Sequence, residues 1–248
     1  MSATYKKLKK INTDFKISEK KRTFIKIQKA ISTLFKYLGI DLKVNLTYEG
    51  SYIFGGDYLT YNYPEQITAR DVNELLEFVT NESVVLDIGC GPGRIEWMLA
   101  PHVKKVYGVD ISSKAIKFAK KGVKKFDIDN VSFMVNNGRD LKSFKNEFFD
   151  LVFSYATFQH MDKETTFIYL DEIFRVLKRN GIAYLQFQNL LDNMNEFALQ
   201  SILEDRTFTR NRYHTDQEIN AILSWIGFDV REIRNHISRQ LRVVALKP

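Results

Sequence analysis

The residues with most capacity for chemistry begin at Val84–Arg94, which reads VVLDIGCGPGR. A short apolar run carrying Asp87 leads into three glycines at alternate positions, Gly89, Gly91 and Gly93, and IEWMLA behind them continues as a helix. A strand ending in such a turn and opening a helix brings backbone close to a nucleotide-like ligand, because glycine has no Cβ to block a tight turn or a close approach. Glu96 follows where a G-x-G-x-x-G dinucleotide loop needs a third glycine, and no G-x-x-x-x-G-K-[ST] is present, so neither an ordinary NAD(P) site nor a P-loop is expected. Asp110 closes the next apolar run, KVYGVD, 23 residues after Asp87; an acid there can accept both hydroxyls of a ribose. In Asn137-Gly138-Arg139-Asp140-Leu141, Asp140 can accept from an exocyclic adenine amine and Leu141 can cover the ring. In FDLVFSYATFQHM the strand is expected to end near Ser154, which puts Tyr155–His160 at the carboxyl edge of a sheet, where open α/β sheets bind ligands.

Alternating strands and helices position these residues. The pattern predicts a helix over Gln66–Val79 and strands at the glycine turn, at Lys105–Asp110, at 131–135 and within 148–158. A helix follows Asp110 with Ser112 or Ser113 as its N-cap, and another spans Asp162–Lys178 before Asn180-Gly181 breaks it and IAYLQFQ forms the next strand. Residues 189–214 interrupt the alternation with a short helix at 194–204 and an arginine-rich loop. Thr215 and Glu218 form a capping box for a helix through Ile226, Gly227 ends it, and two final strands make a hairpin. Such βαβ units give a mostly parallel sheet with helices on both faces. Residues 1–64 read as a separate extension. Its helix, 19–38, buries Phe24, Ile27, Ile31, Leu34, Phe35 and Leu38 and keeps its lysines outside; an aromatic cap segment carries Tyr48, Tyr52, Tyr58, Tyr61 and Tyr63.

The 248 residues are 44% hydrophobic and 27% charged, which excludes global disorder, and no apolar run reaches the roughly 20 residues of a membrane span. The N-terminus lacks the apolar core of a secretory signal, so a cytoplasmic protein is expected. Cys90 is the single cysteine, which excludes an intrachain disulfide and a cysteine zinc cage. The net charge of +7 is concentrated: residues 1–45 hold 12 Lys and Arg against 3 Asp and Glu, leaving 25 against 27 elsewhere. The high pI therefore belongs to the extension and says little about the domain behind it. His102, His160, His214 and His236 are scattered without metal-ligand spacing, and no metal is expected.

VVLDIGCGPGR, KVYGVDISSKAIKFAKK, NNGRDL, FFDLVFSYATFQHM and EIFRVLKRNGIAYLQF occur in one order over about residues 82–188, and together they resemble the class I S-adenosylmethionine-dependent methyltransferases. The resemblance implies a Rossmann-like fold of seven mostly parallel strands with helices on both faces and a reversed last strand. It covers residues 65–248, with the insertion 189–214. It implies S-adenosylmethionine as cofactor and S-adenosylhomocysteine as product. Asp87, Gly89, Cys90, Gly91 and Gly93 flank the methionine part, and Asp110 holds the ribose. Ile111, Arg139, Asp140 and Leu141 surround the adenine, while Ser154 and Tyr155 lie near the sulfonium. Arg179-Asn180-Gly181 replaces the commoner Pro-Gly-Gly, which is expected to affect only the turn.

Methyl transfer needs a base only when the acceptor is a hydroxyl or a protonated amine; His160 is the best-placed candidate and His214 a weaker one. In this family the extension and the later insertions contact the acceptor. Here they offer Tyr52, Phe54, Tyr58, Tyr61, Tyr63, Arg206, Arg210, Arg212 and Tyr213, an aromatic and cationic set suited to a small polar or anionic acceptor methylated on O or N, such as a sugar or natural-product-like molecule. Three other readings stand beside it: RNA or protein methylation using basic residues 1–45, peripheral membrane contact through helix 19–38, and a non-catalytic cofactor-binding regulator. SYAT stands after the fourth strand where amino-methylating nucleic-acid enzymes carry an NPPY-type tetrad. Oligomeric state has no signature.

Overall fold

The computed structural model of the chain describes residues 65–193, 212–236 and 240–248. The expected helices at 19–38 and 194–204, the tyrosine segment, Arg206 and Arg210 lie outside the described residues. Helix α1 (Glu65–Leu76) leads to β1 (Val84–Ile88), α2 (Arg94–Leu99), β2 (Lys105–Asp110), α3 (Ser113–Phe126) and β3 (Val131–Val135). Then come β4 (Phe149–Ser154), α4 (Lys163–Val176), β5 (Leu177–Asn189), β6 (Tyr213–His214), α5 (Asp216–Ile226), β7 (Asp229–His236) and β8 (Gln240–Leu246).

The strands form one sheet in the order β3-β2-β1-β4-β5-β8-β7, with β6 paired to β5 off this path. Every pairing is parallel except those of β8, which runs antiparallel to both β5 and β7. The chain order thus reverses direction between β1 and β4, and the carboxyl ends of β1 and β4 open a crevice there.

Period-two alternation along the strands feeds two cores. Val85, Leu151, Phe153, Tyr184 and Val244 face α1, α2 and α3, where Leu75, Trp97, Leu99 and Ile116 meet them. Leu86, Val152, Leu185, Phe187 and Val243 face α4 and α5, meeting Tyr169, Leu170, Ile173 and Leu223. The helix ends follow their caps. Ser112 Oγ accepts from Ala115 N (3.2 Å), Asp162 Oδ1 from Thr165 N (2.7 Å) and Thr215 Oγ1 from Glu218 N (3.2 Å). Gly227, at φ 114°, ends α5.

Two elements depart from the sequence pattern. Asn180-Gly181 does not break the chain into a helix and a new strand. Strand β5 already begins at Leu177, and Asn180 (φ 60°) and Gly181 form a bulge opposite β4, whose register shifts between Phe149 and Leu151. Asn180 N donates to Lys247 O and Lys247 N donates to Gly181 O, so β8 holds the bulge in place. Tyr213-His214, expected as loop, pairs with Gln188 and Asn189 and ties the end of the insertion to the sheet.

Helix α1 docks through charge as well as apolar contact. Arg242 of β8 is 2% exposed; its guanidinium lies 3.1 Å from Asp71 Oδ1 and 3.2 Å from Glu74 Oε2 of α1. It also sits 4.6 Å from the centre of the Tyr155 ring. Tyr184 OH donates to Glu74, and Tyr155 OH donates to the Asp71 carbonyl. Burial pushes the Asp71 carboxyl up, and Arg242 pulls it back down. Arg242→Leu leaves Asp71 enclosed with only the longer, exposed contact to Arg70 (3.6 Å) as a cation and is expected to cost about 3–5 kcal/mol in denaturant unfolding. Pairing it with Asp71→Asn should recover part of that loss, and a wild-type midpoint for the single variant would remove the ion cluster as an anchor of α1.

Candidate functional site

The candidate site is built where β1, β2, β3 and β4 end. After Ile88 the chain turns through Gly89 (φ 81°), Gly91 (φ 52°) and Gly93 (φ 83°), a left-handed sequence that other residues rarely adopt. Gly89 N and Cys90 N both donate to Val109 O, at 2.8 and 3.0 Å, which binds the turn to β2. A Cβ on Gly89 would sit 2.0 Å from Thr157 Oγ1, and one on Gly93 would sit 2.6 Å from the Phe133 ring. The turn is therefore pressed between the residues after β4 and the core beneath α2.

Asp110 closes β2 beside that turn. Its Oδ2 accepts from Gly91 N (2.9 Å) and its Oδ1 from Ser112 N (2.8 Å). Burial raises this carboxyl while the two N–H groups lower it. Each oxygen keeps a second lone pair for a ligand hydroxyl. Ile111 next to it is 39% exposed and Val135 at the end of β3 is 54% exposed, an apolar ledge at the sheet's rim. Gly138 lies against Ile111, since a Cβ there would meet Ile111 Cγ2 at 2.9 Å.

The loop after β3 is self-organised. Asn136 Oδ1 accepts from Gly138 N and from Tyr169 OH, while Asn137 Oδ1 accepts from Arg139 N and Asp140 N. Asp140 Oδ1 accepts from Lys142 N and the Asn137 amide, contacts that hold its carboxyl below the usual range. Arg139 is exposed. Leu141, expected to cover a ring, is fully buried in the α4 core, and its N–H donates to Glu172 Oε2 (2.7 Å). It anchors the loop from beneath.

Ser154 and Tyr155 are likewise drawn into the scaffold. Ser154 Oγ donates to Ile88 O (2.8 Å), fixing β4 against β1, and the Tyr155 hydroxyl is spent on α1. Beyond them Ala156 takes φ 53°, and its N–H donates to Gln186 Oε1 (2.9 Å) of β5. A non-glycine residue at this φ costs energy and marks a chain held by its surroundings.

His160 ends the 3₁₀ turn Phe158–His160 and is half-buried. Gln188 Nε2 donates to Gln159 Oε1 (2.7 Å), and Gln159 Nε2 lies 3.1 Å from His160 Nε2. Assigned from this network, Gln159 donates to an unprotonated Nε2, and the ring hydrogen sits on Nδ1. Burial first and Arg212 second push the imidazole pKa below 6.5, which favours the neutral ring. Arg212 is brought close, its N–H donating to Gln159 O (2.7 Å). Tyr213 follows on β6, half-buried. His214, the weaker candidate base, is fully buried, packed edge-on against Phe187 (5.3 Å), with Nδ1 3.5 Å from Glu218 Oε2.

Sequence reasoning passed over Glu96, whose only role there was to stand where a glycine was missing. It is 0% exposed, points back under the turn beside Asp87, and neither of its oxygens has a hydrogen-bond donor. The available signal was its position inside IEWMLA, flanked by Ile95 and Trp97 on a six-residue helix. Thr157, Gln159, Gln186 and Gln188 were also missed, because their roles depend on strands meeting across the sheet. Among the described residues no group of three or more His, Cys, Asp or Glu is arranged to hold a metal ion, and no helix is long and apolar enough to cross a membrane.

Burial pushes the Glu96 carboxyl from its ordinary 4.5 up to about 7. A carboxyl whose folded pKa is raised contributes its full stability below the unfolded value and loses it as pH rises through the folded one. The ligand-free protein is therefore expected to lose melting temperature between roughly pH 4.5 and 7. Glu96→Gln should flatten that slope, and an unchanged slope in the variant would assign it elsewhere.

Residues 85–181 match a family model described as a methyltransferase domain. The chain is 34% identical over 186 residues to the probable S-adenosylmethionine-dependent methyltransferase CRG1 of Saccharomyces cerevisiae, covering 71% of this chain and 62% of that protein. A shorter match, 38% identical over 71 residues, covers 28% of this chain and 15% of an uncharacterized RNA methyltransferase of Clostridium tetani. The chain thus spans less than two thirds of the length of these curated relatives. Among solved structures it is similar to magnesium protoporphyrin IX methyltransferase from Synechocystis with bound S-adenosylhomocysteine, at 23% identity and a TM-score of 0.60, covering 74% of this chain and 83% of that one; at this identity the likeness speaks for the fold. The strand order, the glycine turn and these matches agree: the chain belongs to the class I S-adenosylmethionine-dependent methyltransferase family.

Proposed function

We propose that this chain transfers a methyl group from S-adenosylmethionine to an oxygen or nitrogen of a small polar or anionic acceptor. The observation that carries the reading is the convergence at one sheet edge of a three-glycine turn, a ribose-type acid and an exposed apolar ledge. The residues fit the cofactor. Asp87 Oδ1 is buried without a donor and suits a cationic amine, and Gly89–Gly93 leave backbone N–H groups unshielded by side chains. Asp110 keeps lone pairs for the ribose, and Ile111 and Val135 suit an adenine face. Bound S-adenosylmethionine supplies an electrophilic methyl group on a sulfonium.

The chain's own task is then to hold the acceptor atom in line and to keep water out. His160, beyond the end of β4, takes a proton from an acceptor hydroxyl or ammonium when Nε2 exchanges Gln159 for that group. Its lowered pKa keeps the ring ready to accept at neutral pH. Arg212 supports an anionic acceptor at the same edge, with Tyr213 beside it and the tyrosines of 52–63 and Arg206 and Arg210 as further contacts.

RNA methylation is the second reading, favoured by the RNA methyltransferase name of a relative matched over 71 residues and by the basic residues 1–45. It requires salt-dependent retention of bulk RNA that is lost when residues 1–45 are removed; retention unaffected by the deletion withdraws this support.

Asp110→Ala is expected to weaken S-adenosylmethionine binding more than tenfold, roughly 1.4 kcal/mol or more, by calorimetry. Unchanged affinity would refute the ribose assignment. His160→Ala should lower turnover of an acceptor while leaving cofactor affinity nearly intact, and it should remove the acid limb of the pH profile below about pH 6.5. Wild-type turnover in that variant would leave His160 a structural residue.

A further inference from the structure

Asp87 and Glu96 pose a problem that the cofactor contacts leave unsolved. Both side chains are sealed from solvent, at 3% and 0% exposure, and no donor reaches Asp87 Oδ1 or either oxygen of Glu96. Glu96 has little room to turn away, since a Cβ on Gly108 of β2 would sit 2.8 Å from its Oε1 and Phe133 of β3 packs at the same place. The titratable groups facing the pair are Asp110 at the end of β2, Arg94 on the first turn of α2 and the Cys90 thiol in the turn. The Phe133 ring of β3 packs beside Glu96, and the buried Trp97 Nε1 is itself unpaired.

Two ionised carboxylates enclosed in this way repel each other and have lost their hydration without replacement. Neither can donate to the other, so no hydrogen bond between them exists while both are charged. One proton between them supplies the missing donor and removes one charge, as in other carboxylate dyads. Burial pushes both carboxyls up; the Glu96 charge raises Asp87 further, while a hydrogen bond with Asp87 holds Glu96 down, the asymmetry of one proton held between two acids.

We propose that Asp87 and Glu96 share a single proton in the cofactor-free protein, and that arrival of the cofactor's cationic amino-acid end expels it. Glu96 is then a positioning residue that sets the charge Asp87 presents. The bond that breaks is one carboxyl O–H; the proton passes to solvent, and the ligand's positive charge replaces it, so the charge of the enclosed site is conserved. Asp87 is presented as a neutral or half-protonated group to water and as a full carboxylate to a cation. This rests on the cofactor reading above.

The test is titration calorimetry of S-adenosylmethionine near pH 7 in buffers of different protonation enthalpy, on the wild-type protein and on Glu96→Gln. The Gln amide donates permanently to Asp87 and has no proton to lose. Wild type is expected to release more protons per ligand than the variant, by up to one. Its affinity, relative to the variant, should rise with pH by up to about tenfold per unit. The ligand's own amine contributes equally to both proteins, so the difference belongs to the pair. Glu96→Asp, which retains the acid, should restore the release. Should Glu96→Gln not fold, infrared difference spectra of wild type still decide: a protonated-carboxyl band must disappear on cofactor addition, and its persistence overturns the inference. Binding with equal proton release in wild type and Glu96→Gln overturns the inference alone. No binding heat in wild type overturns the cofactor reading and the inference with it.

Discussion

Three carboxylates, Asp87, Glu96 and Asp110, lie buried around one glycine turn, and the surrounding structure answers to the cost of keeping them there. Charge enclosed without water must be met by donors, by a cation or by a proton. Asp110 is met by two backbone N–H groups, and this is possible because Gly91 and Ser112 turn theirs toward it. No such donor reaches Asp87 Oδ1 or either oxygen of Glu96. The turn in turn depends on the acids: Gly91 N ends on Asp110, and Gly89 and Cys90 end on the β2 carbonyl beside it. The left-handed φ values at Gly89, Gly91 and Gly93 are thus held by the next strand.

The same edge is braced from the other side by β4 and β5. Ser154 Oγ reaches Ile88 O, Thr157 lies over Gly89, and Gln186 takes the N–H of the strained Ala156. These contacts leave little freedom at the point where β1 and β4 diverge, which is what a site that aligns two reactants requires. Beyond the brace the polar set Gln188, Gln159, His160 and Arg212 continues along the rim, where the insertion rejoins the sheet through β6. The two ends differ physically: the end near β1 and β2 is fixed by backbone and core contacts, while the rim near β5 and β6 is lined by polar side chains.

Helix α1 shows how a charged cluster can replace apolar packing at the margin of a fold. Its Val72 and Leu75 enter the core, but its place across β4, β5 and β8 is also set by Arg242 between Asp71 and Glu74. Arg242 stacks on Tyr155, whose hydroxyl returns to Asp71, so the helix preceding the methyltransferase motifs is tied to the strand that ends at the candidate site.

Much was legible in the sequence because it was local. Lys105–Asp110 and 131–135 are strands as their apolar runs predict, Ser112, Asp162 and Thr215 bound their helices, and Gly227 ends one. The glycine turn, Asp110 and the loop at 136–141 fall at strand ends, because alternating patterning fixes both the strands and the edge they share. Other features needed partners distant in the chain. Asn180-Gly181 reads as a break, yet β8 holds it as a bulge within a strand. His214 falls in a stretch read as loop, yet it pairs with Asn189 of β5 and is buried. Leu141 and Tyr155 have the side chains of ligand contacts but are claimed by α4 and α1. Glu96 enters the sequence reading only as a residue in place of a third glycine, and its burial arises where α2 packs against β2 and β3. The sequence by itself therefore determined the family, the order of elements and the position of the glycine turn at a strand end, since these follow from short-range periodicity and glycine geometry. The tertiary structure alone decided which side chains are enclosed and which buried acids lack donors, because burial and hydrogen-bond supply are properties of residues that meet only when the sheet is assembled.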